Sequence, residues 1–193
     1  DEMGKQIFNN NWKNIEDLSN QYGFKIDDFI VFYEYYKLKS NPKRQVVDEL
    51  RDIIQRSDVY ELVAELHSFS ESLKKVYESN NPVILSLRYV PWRFYVMNAL
   101  TSAYQVNYPE KDKLFKEIRR FFYISLTAGC TLNQIKQTSF KLIESIVNEN
   151  NIDEIKEDLN RTIISRRMYA KVYDALDNDV YNEKSIYIYK AIF

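Results

Sequence analysis

The sequence predicts an all-α fold, a bundle of eight or nine helices packed mostly antiparallel. Apolar residues recur three and four positions apart along most of the chain, which is the spacing of one helix face. The 193 residues include only 3 Gly and 4 Pro, whereas a sandwich or barrel needs a turn every few residues. With 45% hydrophobic and 28% charged residues, the chain has a globular composition and enough length for a substantial core.

Four helices are predicted in the first half of the chain, and short breaking sequences separate them. The first ends at Gly23, because glycine easily adopts the left-handed conformation that closes a helix. The second is capped by Asp27 and covers Asp28–Lys39, where apolar residues on more than one side indicate burial. The sequence Asn41-Pro42 breaks the pattern after it. The apolar face of the first helix consists of Trp12, Ile15, Leu18 and Tyr22.

The third and fourth helices precede the clearest interruption of this half, the Asn-Asn-Pro sequence at 80–82. Ser57 or Asp58 starts the fourth helix. The apolar run at 83–87 fits a buried strand or a helical segment, and we favour the helix because no second strand is evident to pair with it. We expect a single helical domain over residues 1–193, with any subdomain boundary at 80–90. The two apolar faces are Val46, Val47, Leu50, Ile53 and Ile54, and then Leu62, Leu66, Phe69, Leu73, Val76 and Tyr77.

The three helices predicted between residues 89 and 147 have the widest apolar faces. Because such faces must be buried, we expect these helices to form the core. Pro91 opens the first of them and Pro109 the second, because the fixed φ of proline suits the first turn of a helix. Gly129 ends the second helix, and Thr131 with Gln134 forms a capping box that starts the third. The residues expected at the centre of the core are Trp92, Phe94, Tyr95, Phe121, Phe122, Phe140 and Ile143.

The last part of the chain predicts two further helices. One starts at Asp153, and a break at 160–165 is expected because the phase of the apolar residues then shifts. The chain ends on the nearly all-apolar sequence SIYIYKAIF, residues 185–193. We expect this segment to pack on a neighbour, either the rest of a longer parent chain or a second copy in a homo-oligomer. The chain is therefore interpreted as a fragment of a longer protein.

Overall charge and hydropathy argue against several classes of partner. The chain has 27 basic and 28 acidic residues and a net charge of −1, so it has no general attraction for nucleic acid or an anionic membrane. No apolar run approaches the roughly 18 residues of a membrane span, and no signal peptide is recognisable. The single cysteine excludes an internal disulfide, which fits a reducing compartment. We expect a soluble, cytoplasmic protein without membrane contact.

Nothing in the sequence forms a catalytic constellation. His67 is the only histidine, and with Glu71 four residues later it supplies only half of a metal site, so we favour a structural histidine. Cys130 precedes a helix start, where the helix dipole would lower the pKa of a reactive thiol. A small buried residue in a tight turn is the favoured alternative. Since the glycines are also isolated, we expect no catalytic residue, no metal and no cofactor.

Three strings in the core region, YVPWRFYVMNAL, RRFFYISLTAG and NQIKQTSFKLIESI, resemble the middle helical region of the GmrSD-like restriction endonucleases. The match is most specific over residues 89–147 and weaker over 12–79. That family joins a ParB-like nucleotide-binding domain, a helical region and usually an HNH nuclease domain. This sequence lacks the Asp-Gly-Gln-Gln-Arg motif of the nucleotide-binding domain. It also has only one histidine, which is too few for an HNH nuclease domain.

The resemblance implies a non-catalytic scaffold in a bacterial defence system against foreign DNA. Its partners would be the nucleotide-binding and nuclease domains of the parent chain, which would be a nucleotide-dependent endonuclease. A stand-alone helical protein-interaction module is the alternative, and a metal-dependent nuclease in its own right is a third interpretation.

Basic residues form two local clusters in this otherwise neutral chain. One lies on a face of the second core helix, opposite its apolar residues, and the other follows the predicted break at 160–165. They are either solvated helix faces or a surface that makes weak, non-specific contacts with DNA phosphates, which carry no sequence information. The six candidates are Lys113, Lys116, Arg120, Arg166, Arg167 and Lys171.

Overall fold

The computed structural model describes residues 2–39, 46–79 and 93–178, and within these ranges the chain forms nine helices and no strand. The all-α prediction is therefore confirmed. No helix of the described ranges has the length and apolar character needed to span a membrane. The helices are α1 (Glu2–Tyr22), α2 (Ile26–Leu38), α3 (Val46–Arg56), α4 (Val59–Glu78), α5 (Arg93–Gln105), α6 (Lys111–Thr127), α7 (Leu132–Val147), α8 (Ile152–Ser165) and α9 (Met168–Asn178).

Local sequence signals set several helix ends as predicted. Gly23 and Gly129 have φ values of +66° and +65° just after α1 and α6, in the region that only glycine reaches without strain. The capping box before α7 is complete, since Gln134 N–H donates to Thr131 Oγ1 and Thr131 N–H donates to Gln134 Oε1 at 2.9 Å. Asp58 is the N-cap of α4 and accepts two backbone N–H groups.

Three predicted helix starts are displaced. Pro109 is not in the first turn of α6, because Glu110 is the N-cap and the helix begins at Lys111. The N-cap of α2 is Lys25, which makes no side-chain cap, whereas Asp27 lies within the first turn near the positive end of the helix dipole. Asn151 caps α8 by accepting the N–H of Glu154 at 2.9 Å, so this helix starts before Asp153. The predicted break at 160–165 falls slightly later, because α8 continues to residue 165.

Helix α5 lies at the centre of the packing, because it contacts α2, α4, α6 and α7. Helix α1 packs along α4, α3 packs on α2, and α6 contacts both α8 and α9. Ala99 and Ala103 of α5 are fully buried, and their small side chains allow neighbouring helices to approach closely. Of the three helices predicted as the core, α5 therefore lies at the centre of the described structure, and α6 and α7 each pack against it.

Aromatic side chains fill the space where α2, α5 and α7 meet. The Phe94 ring lies 4.5 Å from the Phe32 ring and 5.8 Å from the Tyr35 ring, measured between centroids. Tyr35 in turn contacts Phe140 of α7 at 4.8 Å. Of the predicted central residues, Phe94 is only partly buried, and the Trp92 side chain lies outside the described residues. The buried ones are Tyr95, Phe121, Phe122, Phe140 and Ile143.

Several predictions concern parts of the chain outside the described residues. These are the break at Asn41-Pro42, the apolar run at 83–87 with the boundary at 80–90, the helix start at Pro91 and the C-terminal segment 185–193.

Candidate interaction surfaces

Arg120, one of the six candidate phosphate ligands, is bound within the protein. Its guanidinium donates from Nε to Glu117 Oε2 at 2.8 Å and from Nη2 to Asn160 Oδ1 at 2.6 Å. Nη1 donates to the Tyr169 hydroxyl at 3.4 Å. Because these partners lie on α6, α8 and α9, the Arg120 side chain connects these three helices through hydrogen bonds. A phosphate would have to displace several of these hydrogen bonds to reach it.

Arg166 also makes an internal contact, since its Nη1 donates to the backbone carbonyl of Gln134 in α7 at 3.1 Å. Its charge lies near Cys130 in the turn between α6 and α7. Burial raises the pKa of the Cys130 thiol, and the nearby charges of Arg166 and Lys171 only partly offset this effect. The interpretation as a reactive thiol with a lowered pKa is therefore wrong. The favoured interpretation as a small buried residue is confirmed.

The other basic candidates differ in how their charges are paired. Lys113 is exposed and forms an ion pair with Glu110 three residues before it. Lys116, Arg167 and Lys171 are exposed, and no side-chain ion pair or hydrogen bond joins them to another residue that the structure describes. The structure brings Arg166, Arg167 and Lys171 together around the junction of α8 and α9. The DNA contact therefore stays a prediction. Among the described residues, Lys116, Arg167 and Lys171 are the candidates whose charges no side-chain partner holds.

A groove of about 350 Å³ lies between α7 and α8. Leu142, Ile155 and Leu159 line it as apolar, largely buried side chains. Lys141 also lines the groove and has no charged partner in the described part of the chain. Arg161 contributes a second cation, but it is paired with the Asp158 carboxylate. The remaining lining residues are Thr138, Ser145, Asp158, Thr162 and Ser165.

An apolar surface lies where the first turns of α1 approach the start of α4, and we call it the α1–α4 patch. Its three large apolar side chains are between 39% and 52% exposed. These three side chains line a hollow of about 490 Å³, where the Tyr60 ring covers Gly4. A Cβ at Gly4 would stand 2.1 Å from that ring, so glycine permits this close approach. The patch consists of Phe8, Val59 and Tyr60.

His67 links two helices, because its Nε2 lies 3.4 Å from the Asn14 amide nitrogen of α1. Glu71, which with His67 would supply half of a metal site, instead forms an ion pair with Lys74, with 3.7 Å between Oε2 and Nζ. No group of three potential ligands that could hold a metal ion occurs among the residues that the structure describes. This contact between α1 and α4 fits the structural interpretation of His67, which stays a prediction.

Glu34 of α2 is a titratable site that the sequence-based reasoning missed. Its side chain is 0% exposed, and neither carboxylate oxygen has a hydrogen-bond partner in the described structure. Burial raises the pKa of Glu34 to about 7, with a further rise from Glu49 of α3 and a decrease from Lys136 of α7. One signal was present, since Glu34 is the only charged residue in the stretch 30–36 of a helix that was predicted to be buried.

Comparison of the chain with protein-family models, with curated proteins and with solved structures gives no significant match.

Proposed function

We propose that the chain is a non-catalytic helical coupling domain of a GmrSD-like restriction protein in the bacterial cytoplasm. In this role it holds a nucleotide-binding domain and a nuclease domain in a defined arrangement. The resemblance supports the proposal, because its three strings fall on or beside α5, α6 and α7. The central helix α5 packs against both α6 and α7, so a movement of either helix could reach the rest of the bundle through it.

The groove between α7 and α8 is the observation that carries this proposal. Its lining combines an apolar base with the unpaired cation Lys141, so it favours a segment with an apolar face and an acidic neighbour. We propose that such a segment comes from an adjoining domain of the parent protein. Docking there would transmit a movement of that domain to α7 and hence to α5, against which α7 packs.

Two substitutions that introduce the same side chain test this use of the groove. Ser145→Trp places a large ring in the groove, whereas Asn20→Trp places the same ring on an exposed face of α1. In the full parent protein, we expect Ser145→Trp to reduce nucleotide-dependent DNA cleavage at least tenfold. Asn20→Trp should leave cleavage within about twofold of the unmodified protein.

Circular dichroism of both variants controls for folding. Equal cleavage by the two folded variants would contradict the proposed docking. The sequence of the full-length gene provides an independent test, since a coupling domain needs an Asp-Gly-Gln-Gln-Arg motif before it and a histidine-containing nuclease motif after it.

The α1–α4 patch favours the second candidate function, a stand-alone helical protein-interaction module. An apolar surface of this kind marks a contact with another macromolecule and does not require a nuclease domain in the same chain. A gene that encodes these helices without the two flanking motifs would support this alternative.

A further inference from the structure

Glu34 lies on a side of α2 that is turned away from α4. Phe29 and Tyr33 of α2 contact the Phe69 ring of α4, at 5.9 Å and 5.6 Å between ring centroids. Since each residue turns a helix by about 100°, Glu34 is rotated by roughly 140° from Phe29 and by roughly 100° from Tyr33. Helix α3 packs on α2, and Glu49 of α3 acts electrostatically on the Glu34 carboxyl. The buried carboxyl therefore lies at the contact between α2 and α3.

Two charged side chains act on Glu34 from the helices that pack on α2. Glu49 of α3 has the same sign and opposes ionisation of the carboxyl, whereas Lys136 of α7 favours it. Helices α1, α4 and α5 also pack on α2, but within the described ranges no charge on them acts on this carboxyl. The balance therefore depends on one anion, one cation and the loss of water.

The other titratable groups close to this contact do not change charge at neutral pH. Burial raises the pKa of the Tyr35 hydroxyl beside Glu34 to about 12, and it also raises the pKa of the Tyr95 hydroxyl of α5. The Glu65 carboxylate of α4 accepts hydrogen bonds from Tyr33 and Lys37. Glu34 is therefore the group at this contact whose protonation can change.

Helix α3 is held less firmly than the other helix that places a charge near Glu34. Its main contact among the described helices is with α2. None of residues 48–56, the part of α3 whose side chains the structure describes, is fully buried, and Ile54 is 51% exposed. Helix α7, in contrast, buries seven residues, including Phe140 and Ile143. Because elements with few buried apolar contacts open most easily, separation of α3 is the least costly way to bring water to Glu34.

We propose that α3 separates from α2 when Glu34 loses its proton, and that it packs on α2 again when the proton returns. While α3 is closed, an ionised Glu34 has lost water and gains no hydrogen bond from a described residue. Separation of α3 returns water to the carboxylate and removes the like charge of Glu49. This inference goes beyond the coupling role and does not depend on it.

The direction of the pH dependence follows from the two states of Glu34. Burial raises its pKa from 4.5 to about 7 in the closed state, and contact with water lowers it again in the open state. Opening therefore releases a proton, so the equilibrium constant for opening rises with pH. These two pKa values correspond to a rise of roughly 50-fold between about pH 5 and pH 8.

Hydrogen exchange of the whole chain, measured by mass spectrometry of peptides from α3 and α5, tests the proposal. After correction for the pH dependence of the chemical exchange rate, the opening constant of α3 should rise roughly 50-fold from about pH 5 to about pH 8. Low urea concentrations should change it little, because a local opening exposes little surface. Amides of the central helix α5 should exchange through global unfolding and respond strongly to urea.

Four variants connect the opening of α3 to Glu34. Glu34→Gln keeps the size of the side chain but removes its titration, so the opening of α3 should no longer depend on pH. Asp17→Asn removes an exposed carboxylate from α1 and is the matched control, which should keep the full rise. Glu49→Gln should reduce the rise, because it removes the like charge. Lys136→Met should increase the rise, because it removes the cation that favours ionisation in the closed state.

Exchange of α3 only through global unfolding would overturn the proposal, because α3 would then not separate on its own. Local opening that is equal at the two pH values would overturn it as well, and so would a pH-dependent opening that persists in folded Glu34→Gln. If neither Glu49→Gln nor Lys136→Met alters the rise, the carboxyl does not respond to these charges as proposed. None of these results bears on the groove between α7 and α8, so they leave the coupling function to its own test.

Discussion

Two regions of the molecule accommodate an ionisable side chain within the helix packing in opposite ways. Where α6, α8 and α9 meet, the Arg120 guanidinium has three hydrogen-bond partners on those helices. In α2, the Glu34 carboxyl is fully buried without a hydrogen-bond partner among the described residues, and burial raises its pKa to about 7. The Arg120 guanidinium exchanges part of its contact with water for hydrogen bonds to these partners. The Glu34 carboxyl avoids the cost of a buried charge by keeping its proton.

Replacing Glu34 should give the largest effect on stability. Between its unfolded pKa near 4.5 and its folded pKa near 7, the folded protein binds more protons than the unfolded chain, so the free energy of unfolding falls as pH rises. Above about pH 7 the full penalty is present, roughly 3 kcal/mol at 1.36 kcal/mol for each pKa unit. Glu34→Gln removes the titrating group and should therefore stabilise the protein at about pH 8.

Urea unfolding at about pH 5 and pH 8 measures this difference. The stability gained by Glu34→Gln should be roughly 2–3 kcal/mol greater at the higher pH. Asp17→Asn on the exposed side of α1 serves as the control and should show no such change. A pH-independent effect of Glu34→Gln would show that the carboxyl is already ionised at neutral pH in the folded chain.

Removing the guanidinium should have a smaller effect of opposite sign. Arg120→Met keeps much of the side-chain volume but leaves the Glu117 carboxylate, which is only 14% exposed, without its cation. We expect a loss of about 2 kcal/mol in the free energy of unfolding. Urea unfolding measures it, and Glu117→Gln with Arg120→Met should together lose less than the two single changes added.

If Arg120→Met changes the free energy of unfolding by almost nothing, the two regions do not differ in the way described. Such a result would mean that the three hydrogen bonds of this side chain contribute no more than an exposed ion pair does.

The local determinants of the fold were readable from the sequence, and the long-range ones were not. Thr131 and Gln134 are three residues apart, so their capping box follows from spacing alone. The partners of Arg120 on α8 and α9 are 40 and 49 residues away, and helical periodicity does not say which helices meet. For the same reason the sequence placed Arg120 on a solvated face, although the packing of α8 and α9 on α6 partly buries it.

The phosphate-binding residues were predicted less well than the fold. A basic side chain can bind phosphate only when no hydrogen-bond or ion-pair partner within the protein already holds it. Lys116 and Arg120 have the same sign and lie on the same helix, but only Arg120 has acceptors within reach. The ion pair of Lys113 with Glu110 joins residues only three positions apart, so sequence spacing could have suggested it, although this pair was not predicted. Sequence spacing suggests no partner for Arg166, whose acceptor is a backbone carbonyl of another helix.

The smallest effect is expected from the free cations, and it concerns DNA. If Lys116, Arg167 and Lys171 are the phosphate ligands, the slope of log K against log[salt] should be about −3, at roughly −0.9 for each phosphate. Changing all three to Ala should bring the slope close to zero, whereas Arg120→Met in a folded chain should leave it unchanged. A salt titration with duplex DNA measures both, and a strong loss with Arg120→Met would show that this guanidinium leaves its partners to bind phosphate.

Because Cys130 is buried, chemical labelling of its thiol can report when the turn between α6 and α7 opens to solvent. The side chain is 7% exposed, so a thiol reagent in water reaches the sulfur only when the surrounding packing separates. When closing is faster than labelling, the rate of modification gives the equilibrium free energy of that opening. Because the chain contains no other cysteine, the unmodified protein can be studied in this way without an engineered probe. The motion detected would be that of the segment joining two core helices, near the point where Arg166 contacts α7.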